Sequence, residues 1–177
     1  MRKVCIIVFL ISIIILSCVG CASFGGSRQT EYLRIHIRAN SNAQAEQSIK
    51  YAVSNKVVEF LTPIVAECNS KQKAIELLTN NLNNIESVAN KVLSDGGFNY
   101  SARAKLCQEK FPTRVYNGFT LECGIYDALI IELGSGLGEN WWCVVYPPLC
   151  FTESVAGYRY KSKILEIIND FLNKGKS

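Results

Sequence analysis

A chain of 177 residues with a hydrophobic fraction of 49% suits one domain with a real core plus a targeting segment, and is too short for several domains. Its net charge is +4, and Arg2 and Lys3 carry half of that excess. So mild a balance, without Lys/Arg clusters interleaved with aromatics, excludes a dedicated nucleic-acid-binding surface.

Residues 1–24 read MRKVCIIVFLISIIILSCVGCASF. Arg2 and Lys3 form a charged start, and Val4 to Val19 is an apolar run. A bilayer-spanning helix asks for roughly 20 apolar residues, so the run is a little short for a stable span and fits the core of a secretory signal. Ser17, Gly20, Ala22 and Ser23 supply the small residues that a signal peptidase reads. Three outcomes stay open: cleavage, lipidation at Cys18 or Cys21, and a retained anchor that keeps the protein at a membrane surface. All three put the rest of the chain outside the cytoplasm. Residues 25–31 form a polar linker, and the folded domain is expected over 32–177.

Leu33, Ile35 and Ile37 alternate with Arg34, His36 and Arg38, which predicts a half-buried strand. Asn40, Ser41 and Asn42 are expected to cap a helix from about Ala43 to Leu61, ended or kinked at Pro63. Ser70 caps a second helix with an apolar stripe from Ile75 to Val92, stopped at Gly96-Gly97. From Asn99 onward the pattern turns to strands, with a hairpin at Asn117-Gly118. YDALIIELG and WWCVVY read as buried strands, the latter ended by Pro147-Pro148. YRYKSKILEIINDFLNK closes the chain as an amphipathic helix. The order implies an α+β fold: a single domain with a mostly antiparallel sheet, two successive helices after the first strand, and a C-terminal amphipathic helix.

His36 is the sole histidine, so Ser–His or Cys–His catalysis would have to use it. Two flanking arginines on its strand face should disfavour its protonation. A surface or hydrogen-bonded strand residue is the expected reading, because a site needs several convergent groups. Gly134, Gly136 and Gly138 lie in LGSGLGEN, but a phosphate cradle needs a helix after the loop. A strand follows instead, and the segment reads as a glycine-rich hairpin loop. The carboxylates, among them Glu109, Asp127 and Glu132, form no paired motif. No catalytic residue, cofactor or metal is therefore called for. The competing possibility is a secreted hydrolase or small-ligand-binding protein that uses His36 and the Gly134–Gly138 loop.

Beyond the leader stand Cys68, Cys107, Cys123, Cys143 and Cys150. No CxxC or His pair completes a zinc site. In an exported chain a Cys143–Cys150 disulfide is the expected fate, because the Pro147-Pro148 turn can fold the chain back. Cys107–Cys123 is a second candidate bridge. Trp141 and Trp142 are neighbours on a strand and face opposite sides. One should enter the core, and the other suits a recognition surface or lies under the last helix or the glycine loop.

The blocks LRIHIRANSN, FPTRVY and GIYDALIIELGSGLGENWWCVVYPPLCF resemble, in order and spacing, the stage II sporulation protein R family, over about Leu33 to Phe151. Cys123 and Asn42 depart from the family's usual residues. The resemblance implies a protein made in the forespore and secreted into the space between forespore and mother cell. There it would activate a membrane-embedded aspartic protease that cleaves the precursor of sigma factor E. By that analogy the chain is an intercellular signal and not an enzyme. A contact surface for the protease would then be sought at Trp141 or Trp142, Arg114, Tyr116 and the Gly134–Gly138 loop.

Overall fold

The computed structural model describes residues 31–116, 118–151 and 158–174, the last with side chains from Ile164 onward. The leader, with Cys18 and Cys21, lies outside the described residues, as do linker residues 25–30 and Asn117. Among the described residues no helix is long and apolar enough to cross a membrane.

The class is α+β, with a mostly antiparallel sheet. Strand β1 (Leu33–Arg38) is followed by helices α1 (Gln44–Val65), α2 (Lys71–Asn80) and α3 (Leu82–Asp95). Strands β2 (Ala102–Phe111), β3 (Arg114–Tyr116), β4 (Phe119–Leu121), β5 (Gly124–Leu133) and β6 (Asn140–Tyr146) come next. Helix α4 (Tyr158–Lys174) closes the chain. The main sheet has the order β2-β5-β1-β6, and β3-β4 form a separate hairpin. Within the main sheet β1 and β5 run parallel, whereas β1–β6 and β2–β5 are antiparallel.

The helices depart from the sequence expectation at two points. Three helices separate β1 from β2, because the predicted second helix breaks at Asn81. That residue ends α2 and starts α3 with a non-helical backbone, and its side-chain amide donates to the Leu77 carbonyl at 2.8 Å. An asparagine competes in this way for the backbone bonds that would continue a helix. Pro63 lies inside α1, which runs on to Val65. In the last turn its missing N–H forgoes only one bond.

One sheet face carries Leu33, Ile35, Ile37, Leu129, Ile131 and Cys143. It packs against Val53, Val57 and Leu61 of α1, Leu78 of α2, and Ile85, Ala89 and Leu93 of α3, all essentially buried. From α4, Ile164 joins this core, while Leu165 and Leu172 are exposed. The other sheet face buries Phe111, Tyr126, Ala128, Ile130 and Val144 together with Tyr32 and Leu121.

The glycine segment is not a hairpin loop. β5 and β6 flank β1 on opposite sides, so their connection must cross over the end of β1. It does so in backbone contact: Gly138 N donates to the Ala39 carbonyl at 2.8 Å, and Ala39 N to Glu139 O at 3.3 Å. Asn40 Oδ1 accepts from Ser135 N at 2.9 Å and Asn42 Oδ1 from Glu139 N at 2.6 Å. These asparagines therefore clamp the crossover. Ala43 stands in the cap position before α1 and gives it no side-chain cap.

Candidate functional site

The second sheet face assembles a polar and aromatic cluster that no contiguous stretch of sequence displays. Strand alternation places Arg34, His36 and Arg38 in one row on β1. The register sets His36 beside Ile130 of β5 and Trp142 of β6. On β2 the same alternation brings Lys105, Cys107, Glu109 and Phe111 to this face. The β3–β4 hairpin folds over it. At the hairpin's base Cys123 N donates to Thr113 Oγ1 at 3.0 Å, and the Tyr126 hydroxyl donates to the Glu122 carbonyl at 2.6 Å.

Arg34 is fully buried. Its guanidinium lies 4.2 Å from the centre of the Phe111 ring and 4.8 Å from that of Tyr126, and it donates to the Tyr116 hydroxyl at 2.8 Å. Nε and Nη1 have no hydrogen-bond partner in the structure. Attraction to desolvated aromatic faces, worth about 2 kcal/mol per contact, offsets part of the cost of burying the charge. Burial also pushes the Tyr116 and Tyr126 hydroxyls above their usual pKa, with Arg34 opposing the shift in both.

His36, 2% exposed, is stacked on Trp142 with ring centroids 3.6 Å apart, and meets the edge of Phe111. Its Nδ1 lies 3.1 Å from Glu109 Oε2. Its pKa is lowered, chiefly by burial. Asn140 and Glu109 pull the other way, and Arg38 adds a smaller lowering effect. The direction matches the sequence expectation, but desolvation dominates and not the flanking arginines. Arg38 is gripped by two carboxylates, Glu109 and, at 2.8 Å, Glu132, and Lys105 adds a second contact to Glu132.

Of the residues singled out from sequence, the structure brings Trp142, Arg114 and Tyr116 together. The Arg114 guanidinium sits 5.9 Å from the Trp142 ring centre, and Tyr116 closes over Arg34. Trp141 faces the other way and packs, partly buried, on the helix-covered core. Arg114 is exposed, as is its neighbour Val115 at 66%. Cys143 and Cys150 are disulfide-bonded, with Cα atoms 6.2 Å apart, around the Pro147-Pro148 turn, whose Tyr146–Pro147 peptide is cis. Cys107 and Cys123 are both exposed and are not bonded to each other. Cys123 precedes Gly124, which pairs with Phe111, whereas Cys107 pairs with Ala128. Four rungs of strand, on the order of 13 Å, rule out a bridge between them.

The arrangement does not make an anion cradle of the crossover. Backbone N–H groups of Gly134, Ser135, Gly136, Gly138 and Glu139 all donate within the protein. His36 is buried, and no nucleophile stands beside it among its hydrogen-bond and ring partners. Among the described residues no group of three His, Cys, Asp or Glu side chains converges as a metal site would. Sequence reasoning missed Arg34, Glu109, Phe111 and Tyr126 as members of the cluster. The available signal was YDALIIEL: apolar residues on both faces of a strand mean that both faces are covered.

Residues 29–156 match the family described as Stage II sporulation protein R. The chain belongs to the stage II sporulation protein R family. It is 32% identical over 131 residues to the stage II sporulation protein R of Bacillus subtilis (strain 168), a match covering 74% of this chain and 58% of that relative. No solved structure matches it. The blocks that carry the family resemblance, distant in sequence, meet on the second sheet face. His36 and Arg38 come from HIRAN, Phe111 and Arg114 from FPTR, and Asn140 and Trp142 from NWW.

Proposed function

We propose that this protein is an exported signal of endospore formation that activates a membrane-embedded aspartic protease, the enzyme that processes the precursor of sigma factor E. The family match over residues 29–156 carries this reading. The apolar, cation-led start of the chain supports export, and the Cys143–Cys150 disulfide suits an oxidising compartment.

The docking surface is the open part of the second sheet face: Trp142, Arg114 above it, and Tyr116. Aromatic and arginine side chains on a rigid sheet are the residue types that anchor interfaces. To activate the protease, this surface must bind the active form more tightly than the inactive one, since equal affinity shifts nothing. A retained anchor or lipid would add effective concentration at the membrane.

Co-expression in a non-sporulating host tests the function. The chain, the protease and the sigma precursor are produced together, with and without residues 1–24. Cleavage of the precursor should need both the chain and its leader. Equal cleavage without the leader would contradict export as the basis of the signal.

A further inference from the structure

The outer edge of β2 is half covered and half bare. Ala102 N donates to Asn90 Oδ1 and Ala104 N to Glu86 Oε1, both at 2.7 Å and both from α3. These amides therefore point away from β5. β2 pairs with β5 without a break from Ala102 to Phe111, so alternation sends the backbone groups of Leu106, Gln108 and Lys110 the same way. Helix α3 does not supply partners for those three. The strand carries no proline or bulge until Pro112, and the charges along it, Lys105, Glu109 and Lys110, are of mixed sign.

The side chains along this edge are self-complementary under a twofold axis. Antiparallel pairing of two copies with Cys107 opposite Cys107 places Leu106 opposite Gln108. Both are outward-facing, so they form hydrogen-bonded pairs. Lys105 then stands opposite Glu109, and Glu109 opposite Lys105, in the closer non-hydrogen-bonded positions. Lys110 falls opposite Ala104, whose outward amide is already held by Glu86, so the ladder is confined to the two symmetric Leu106–Gln108 pairs and ends where α3 covers the edge. The nearest registers, with Leu106 or Gln108 on the axis, lose the Lys105–Glu109 match, and the next ones set Lys105 against Lys105 or Glu109 against Glu109.

We propose that the bare half of β2 is a homodimer interface in which two copies pair edge to edge, with Cys107 on the twofold axis, into one eight-stranded sheet. Lys105 and Cys107 are exposed; Lys105 already reaches Glu132, and Glu109 already holds Arg38 and His36, so across the axis they would extend these ion pairs. The axis lies normal to the sheet, so both copies turn the Trp142 and Arg114 face to the same side. The dimer does not depend on the proposed signalling role.

The test uses the exported chain with its Cys143–Cys150 disulfide intact and Cys123→Ser as background, so that Cys107 is the one exposed thiol among the described residues. Sedimentation should show a reversible dimer. Oxidised glutathione should join Cys107 to Cys107, two thiols giving up two protons and two electrons while the glutathione disulfide is reduced to two thiols. Lys105→Glu should weaken the dimer about tenfold or more, since it sets two carboxylates against each other at both symmetric positions. Gln108→Pro removes an outward amide without touching the β5 bonds and should leave a folded monomer. A monomer at high protein concentration, a dimer indifferent to both substitutions, or a dimer that Cys107 fails to cross-link would each overturn the proposal. Far-ultraviolet circular dichroism of each variant separates lost pairing from lost folding.

Discussion

His36 and Trp142 lie face to face, 3.6 Å between ring centroids and 19° between planes, on neighbouring strands of the main sheet. The stack holds Trp142 flat beneath Arg114 and removes the imidazole from water. Its neighbours are Glu109 and Asn140, which favour the charged ring, and Arg38, which does not. The net direction is a lowered pKa, so the folded state holds His36 neutral where the unfolded chain would bind a proton.

Stability should therefore depend on pH through this residue. Its contribution is complete above the ordinary histidine value of 6.5. It is lost progressively as pH falls below that value toward the lower folded pKa, because the unfolded state then binds more protons. Urea unfolding of the wild type and of His36→Gln between pH 5 and 8 checks this. The difference between the two should slope downward in the acid half of that range and be flat above about pH 7. A difference that is flat throughout would mean that burial does not depress His36.

Arg34 and Tyr116 should respond in opposite ways to truncation. Tyr116→Phe leaves the buried Nη2 without its acceptor and should cost about 1–3 kcal/mol. Arg34→Met removes the charge together with its need for partners and keeps most of the volume, and should fall within about 1 kcal/mol of the wild type. Denaturant midpoints of the two variants decide the order.

The crossover predicts a contrast between two glycines. A Cβ at Gly138 would stand 2.6 Å from the Ser41 carbonyl carbon, a backbone atom that cannot swing aside. Gly138→Ala should cost about 2–3 kcal/mol. At Gly97 nothing lies within 4 Å and only the left-handed φ of 77° opposes a side chain. Gly97→Ala should cost about 1 kcal/mol. Thermal melts of both variants give the comparison, and equal losses would show that the crossover does not touch Ser41 as described.

Thiol labelling of the native protein should sort Cys68, Cys107, Cys123, Cys143 and Cys150 into three classes. Cys143 and Cys150 should resist alkylation until reduced. Cys107 and Cys123 should react at once. Cys68 should react slowly, because burial pushes its thiol up to about 11. Breaking the Cys143–Cys150 bridge with a pair of serines should cost about 2–3 kcal/mol for so short a loop. Rapid labelling of Cys143 in the unreduced protein would contradict the bridge.

The fold class was legible because local periodicity carried it. Leu33-x-Ile35-x-Ile37 announced a strand, and the helical stripes announced which faces meet the sheet. Strand order was not legible, since nothing in LRIHIR states that β5 will lie parallel on one side of β1 and β6 antiparallel on the other. The Asn40–Asn42 segment reads locally as a cap, and its role as a clamp on the crossover exists only once β5 and β6 straddle β1. The cluster on the second face was hidden for the same reason. Glu109 looks like a solvated strand residue until the register sets it beside His36 and Arg38. Trp142 could be told from Trp141 only by knowing which face the helices cover.

The central claim is that the Trp142 and Arg114 face of an exported domain switches on the protease. Precursor cleavage in the reconstituted host, with Arg114→Glu in place of the wild type, tests it most directly, because Arg114 is exposed and its reversal leaves the core untouched. Cleavage should fall at least tenfold while the exported level and melting temperature stay unchanged. Undiminished cleavage by a properly exported Arg114→Glu chain would contradict the claim.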